Sequence, residues 1–146
     1  MKTHTIVTGI THDNLVNLFS TATYGSNWLV CRACAEVRKF KKDGDCHEDL
    51  LAKALINGLT IEVFDYYAEG EFYGTLPHTR EEEDDDCVHY TVTLKDIEQG
   101  LARCFDNDDK YVRECAECLL YEGDDFDLTA AETLMQVIVF GEVIYG

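Results

Sequence analysis

Basic residues are scarce in this chain. Twelve Lys and Arg stand against twenty-nine Asp and Glu, a formal net charge of -17 over 146 residues. A field of that sign repels phosphate, so direct nucleic-acid binding and attachment to anionic membrane are not expected. Proline occurs once and glycine ten times, which excludes a linker-like or low-complexity chain. No apolar run approaches the roughly 20 residues that span a bilayer. The N-terminal stretch MKTHTIVTGITHDN also lacks the h-region of a signal peptide. These two absences predict a cytoplasmic location. Catalytic signatures are missing too. There is no GxSxG, no P-loop and no dinucleotide-type glycine pattern, and His4, His12, His47, His78 and His89 are scattered. No catalytic residue is assigned, no cofactor is expected, and the reading is non-enzymatic.

What the chain does have is a core and a concentrated charge. Hydrophobic residues make up 46% of it and aromatics 11%, enough to fold despite the repulsion. The length fits a single domain over residues 1–146, with an acidic loop near 78–87. Residues 1–80 hold ten acidic and eight basic side chains, whereas residues 81–127 hold seventeen and four. One 47-residue stretch therefore generates most of the field. A chain that keeps such self-repulsion has a use for it in attracting basic partners, or gains solubility from it.

The hydrophobic pattern predicts an α+β fold: a small, mostly antiparallel sheet packed by about five helices. Thr3 to Thr8 reads as a short extended segment. A helix starts near Thr11, capped by Thr11 or Asp13, and closes at Gly25. Trp28 to Phe40 alternates apolar and polar residues and reads as a strand. Asp45 to Asn57 is a helix, and Leu59 to Tyr67 is a strand with Ile61, Val63 and Asp65 on one face. Ala68 to Asp86 is a long connection. Cys87 to Leu94 is a strand pairing antiparallel with the previous one. Three helices follow. The first is opened by the box Thr93-Leu94-Lys95-Asp96, the second by Asp108 or Asp109, and the third by Thr129-Ala130-Ala131-Glu132. The third is apolar around most of its circumference, which suits either the centre of the core or a homodimer interface.

The candidate partner-binding residues are the carboxylates of the acidic stretch: Glu81, Glu82, Glu83, Asp84, Asp85, Asp86, Asp106, Asp108, Asp109, Glu122, Asp124, Asp125 and Asp127. Duplex DNA carries about one charge per 1.7 Å of axis, and converging acidic loops can present a similar field to Arg and Lys of a target. Solvated loops and helix caps are the competing explanation. Asp106-Asn107-Asp108-Asp109 and Asp124-Asp125-Phe126-Asp127 offer oxygen ligands, yet neither has the calcium-loop pattern. Seven cysteines cannot all pair within one chain and read first as thiols. Cys31, Cys34, Cys115 and Cys118 form two CxxC pairs that could assemble a zinc site. Both pairs lie inside apolar-patterned segments, where cysteine acts as a small hydrophobe, and no metal is assigned.

Two segments carry a resemblance. Thr21-Ala22-Thr23-Tyr24-Gly25-Ser26-Asn27-Trp28, and the C-terminal run Ala130 to Gly146 with its Phe140-Gly141-Glu142-Val143-Ile144-Tyr145-Gly146 ending, resemble a family of small acidic proteins of phages and mobile elements of gut bacteria. Leu29-Val30-Cys31 stand where that family carries an aromatic pair. The resemblance implies an anti-CRISPR or other DNA-mimicking inhibitor acting in the host cytoplasm. Its partner would be a basic nucleic-acid-binding protein or CRISPR effector complex. A phage accessory protein that self-associates through its apolar C-terminal helix, and a zinc-supported module, are the alternatives.

Overall fold

The computed structural model describes residues 5–26, 28–67, 76–81, 87–122 and 126–145, and for Glu81 and Glu122 the backbone only. The expected α+β fold is found. Five α-helices, α1 (His12–Gly25), α2 (His47–Ile56), α3 (Leu94–Phe105), α4 (Lys110–Glu117) and α5 (Leu128–Phe140), accompany four strands. The strands are β1 (Leu29–Ala33), β2 (Ile61–Asp65), β3 (His78–Glu81) and β4 (Cys87–Val92), in the order β1-β2-β4-β3 with every neighbour antiparallel.

Alternation fixes which side of the sheet is buried. Leu29, Cys31, Ile61, Val63, Asp65, Val88, Tyr90 and Val92 point into one core. Over them lies a helical layer in which α2 packs on α1, α1 on α5, and α5 on both α3 and α4. The centre of that layer is α5, which is buried at Ala130, Ala131 and every position from Thr133 to Phe140. Each of its large apolar side chains contributes about 1.5–3 kcal/mol on burial. The apolar circumference thus serves the core of this chain and not a dimer interface.

Three expectations need correction. The strand expected over Trp28 to Phe40 stops at Ala33, and Ala35–Phe40 is a 3-10 helix. Val37 and Phe40 recur at a spacing of three, so Val37 reaches the core while Glu36, Arg38 and Lys39 stay in water. The connection after β2 contains strand β3, so residues 78–81 are paired to β4 and do not belong to an acidic loop. Helix α5 begins two residues early. Asp127 is its N-cap, accepting from the Ala130 N–H at 2.8 Å. Glu132, expected in a capping box, accepts from the Ser26 hydroxyl instead. The other caps are as expected: Thr11 on α1, Thr93 with Asp96 on α3, and Asp109 on α4.

Two contacts close the core. Gly100 of α3 lies against the α5 backbone, where an added Cβ would fall 2.6 Å from Ile138 Cα. At the other end of α5, buried Gln136 accepts from the Ile144 and Tyr145 N–H groups at 2.8 and 2.7 Å and donates to the Tyr145 carbonyl. That holds Tyr145 against Trp28, Tyr67 and Phe140 and lets its hydroxyl donate to Asp65 at 2.8 Å. Asp65 is fully buried and also accepts from the Tyr67 N–H. Burial pushes its carboxyl pKa upward, against these two hydrogen bonds.

Gly100→Ala should therefore cost about 1–3 kcal/mol by overpacking against a backbone that cannot yield. An unchanged denaturant midpoint would refute the close approach. Asp65 supplies a pH signature. A carboxyl whose folded pKa is raised stabilises most while protonated, and its contribution falls as pH climbs from the ordinary carboxylate value through the raised one. The difference in Tm between the wild type and Asp65→Asn should shift in favour of the variant over that rise. A difference independent of pH would show that Asp65 ionises freely.

Candidate interaction surface

The described part of the acidic stretch is organised by local backbone needs. The first turn of a helix exposes unpaired N–H groups, and a carboxylate placed just before it satisfies one of them. Asp109 does so for α4 through Tyr111 N (2.9 Å), and Asp127 does so for α5. Asp106 ends α3 and holds the N-terminal segment: its carboxylate accepts from the Thr5 hydroxyl at 2.6 Å and from the Thr5 N–H at 3.0 Å. Asp108 is exposed, and its carbonyl accepts from Arg113. Glu81 lies in β3 and Glu122 ends a π-turn, Cys118–Glu122, that continues α4. Glu82, Glu83, Asp84, Asp85, Asp86, Asp124 and Asp125 lie outside the described residues.

Capping does not discharge a carboxylate. Asp109 and Asp127 remain exposed. On α4 itself Glu114 and Glu117 face solvent, and Glu114 makes an exposed 3.5 Å pair with Lys110. Glu114, Glu117 and Asp127 border one shallow cleft of about 360 Å3 together with Cys115 and Cys118. Asp106, Asp108 and Asp109 occupy the turn between α3 and α4. The α3–α4–α5 corner therefore carries six carboxylates, of which Glu114, Glu117 and Asp127 share one cleft and Asp106, Asp108 and Asp109 stand in the turn before α4. Glu114 and Glu117 were not singled out from the sequence, although their spacing of three on a short helix places them on neighbouring exposed positions.

Lys95, Arg103, Lys110 and Arg113 belong to α3 and α4 themselves, and a second basic group lies elsewhere. Arg38, Lys39, Lys41 and Lys42 fall on or just after the 3-10 helix, which packs on α2. α2 in turn packs on α1, and α1 packs both on α5 and on the π-turn that continues α4.

The two CxxC pairs form no metal-holding group among the described residues. All seven are thiols. Cys31 faces the core from β1, where burial pushes its pKa up to about 12, and burial raises that of Cys115 in α4 as well. Both shifts oppose the thiolate that zinc requires. Among the described residues no group of three or more His, Cys, Asp and Glu side chains is placed to hold a metal ion. The described histidines have structural partners: His12 contacts Asp49, His47 the Cys31 carbonyl, His78 the Leu76 carbonyl and His89 Glu62.

The sheet face away from the helices holds a cluster that sequence reasoning also passed over. Phe64 sits between the Arg32 guanidinium, 5.0 Å from its centroid, and a stacked His89 ring at 5.2 Å. The period of two in β2 and β4 puts these side chains opposite the core, and the antiparallel pairing of these two strands is as expected; that β1 joins the other edge of β2 was not read from the sequence.

Among the described residues no helix is long and apolar enough to cross a membrane. No protein-family model, no curated protein and no solved structure matches this chain.

If capping is the structural work of these carboxylates, Asp109→Ala and Asp127→Ala should each cost about 0.5–2 kcal/mol. Asp108→Ala should stay within roughly 0.5 kcal/mol. Equal losses at all three positions, measured by urea unfolding, would contradict this division.

Proposed function

We propose that this protein is a non-enzymatic inhibitor that binds a basic, nucleic-acid-handling protein through its acidic corner. A CRISPR effector complex is the kind of target that fits. Its Arg and Lys side chains, which otherwise hold phosphates or the PAM duplex, would pair with Asp108, Asp109, Glu114, Glu117 and Asp127, joined by the Glu82 to Asp86 run. The mechanism is competition for those cations, with no bond made or broken. The observation that carries this reading is the exposure of carboxylates on and beside α4: Asp108, Asp109, Glu114, Glu117 and Asp127 all face solvent, and Glu114, Glu117 and Asp127 border one cleft.

Capping supports the same reading in a second way. A carboxylate held by a backbone N–H has already lost its rotamer freedom, so a partner pays less to engage it. Asp109 and Asp127 are fixed in this manner while remaining exposed. The phage or mobile-element origin belongs to the same proposal and rests on the two end segments noted above.

The test uses purified CRISPR effector complexes immobilised with and without competing duplex DNA. Binding should fall steeply with salt and be displaced by the duplex. Asp108→Lys, Glu114→Lys and Glu117→Lys together should weaken it at least about tenfold, as expected when several charge pairs are reversed. Binding that resists both salt and DNA, or that survives the triple reversal in combination with neutralised Glu82 to Asp86, would overturn the proposal.

A further inference from the structure

The chain from Thr5 to Thr8 reads Thr-Ile-Val-Thr, four β-branched residues in a row, which favour an extended backbone. From Thr5 to Thr11 it makes no helix, turn or bend. The segment is anchored at both ends. Thr5 is tied to the Asp106 carboxylate through its N–H and its hydroxyl, and Ile10 enters the core just before Thr11 caps α1. Between the anchors the backbone is open. Among the described residues, the N–H and C=O groups of Ile6, Val7, Thr8 and Gly9 have no hydrogen-bond partner. Val7 packs against the core, whereas Ile6 is 84% exposed. An extended backbone with open donors and acceptors is a template for a further strand.

Helix α3 faces this segment across a cleft of about 320 Å3. One wall is Thr5 to Thr8, and the other is Lys95, Glu98, Gln99 and Ala102. These helical positions recur at intervals of three and four and so share one face of α3. They cover about 10 Å of helix axis, and four extended residues cover about 13 Å, so the two walls match in length. The lining is mainly apolar, with Ile6, Val7 and Ala102 in it. Two charges of opposite sign stand there as well. Neither Lys95 nor Glu98 makes an ion pair or a side-chain hydrogen bond among the described residues. Asp106, at the Thr5 end, is not part of either wall.

We infer that this groove binds an extended segment of a partner protein, which adds as a strand beside residues 5–8. An open backbone on one wall and a helix face on the other is the anatomy of strand addition: main-chain hydrogen bonds give affinity, and the side chains along the groove give selection. Selection here comes from Lys95 and Glu98. The bound segment carries an Asp or Glu for the first and a Lys or Arg for the second, among aliphatic residues. An all-acidic or all-basic segment leaves one of the two wall charges facing its own sign. The site uses none of the α4 carboxylates and is separate from the acidic-corner reading. A second copy of this chain is the poorer occupant. Its own Thr5–Thr8 segment has no charge to offer Lys95 or Glu98, and each copy carries -17.

The experiment uses three peptides, Val-Glu-Val-Lys-Val, Val-Glu-Val-Glu-Val and Val-Lys-Val-Lys-Val, at about 0.15 M salt to screen the long-range field. Amide hydrogen exchange is followed by NMR on the isotope-labelled protein. In the free protein the amides of Ile6 to Gly9 should exchange without protection. The mixed-charge peptide should slow one alternate pair, Ile6 with Thr8 or Val7 with Gly9, at least about tenfold, because neighbouring N–H groups of a strand point to opposite edges. Either single-sign peptide should protect the same pair less. In Lys95→Glu the preference should pass to Val-Lys-Val-Lys-Val, and Lys95 is exposed, so the fold is not at stake. Failure of the mixed-charge peptide to protect any of the four amides at millimolar concentration overturns the inference, as does an unchanged order of preference in Lys95→Glu. Protection that rises with protein concentration alone, with oligomers in sedimentation, would overturn it in favour of a second copy.

Discussion

A helix without a solvent face must be met by matching surfaces on every side, and from Thr133 onward α5 is such a helix. Its neighbours are determined by that demand. Gly100 lets α3 approach the backbone at Ile138, Ala130 and Ala131 keep the first turn slim, and the ring of Phe140 is received by Trp28, Tyr90 and Tyr145. Gln136, the polar residue deepest in this helix, is tolerated because the 144–145 backbone saturates its amide. The sheet contributes the remaining side. Its alternation delivers one apolar face and, at Asp65, one carboxyl whose burial is offset by the Tyr145 hydroxyl.

Much of this was legible in the sequence because the signals are local. Helix α1 carries its cap and its stop within fifteen residues, and α3 opens on a Thr-x-x-Asp box that forms as written. The misreadings occur where two local signals compete or where the decisive partner is distant. Thr129-Ala130-Ala131-Glu132 reads as a capping box, yet Asp127 takes the Ala130 N–H and Glu132 turns to Ser26. The 3-10 helix alternates like a strand for several residues, and its true spacing is visible only once Val37 is seen to be buried. Strand β3 has four residues of mixed polarity, His-Thr-Arg-Glu, and exists because β4 offers it an unpaired edge.

The acidic residues show a related division. Their number and position along the chain are plain in the sequence, and so is their capacity to cap. Their arrangement depends on how α3, α4 and α5 meet, which no spacing encodes. Three of the carboxylates expected to face a partner also hold backbone N–H groups of this chain. A charge that stabilises the fold and a charge that attracts a partner can thus be the same group, with its long-range field intact after the local bond is made.

Among the described elements, the central helix of the core follows every other in chain order. Until it is made, the core face of the sheet and the side of α1 that packs on α5 lack the surface that covers them. Vectorial folding therefore leaves an open hydrophobic trough until residues 128–140 emerge. During that interval the nascent chain depends on its own negative charge, much of it already synthesised by then, to keep neighbouring copies apart.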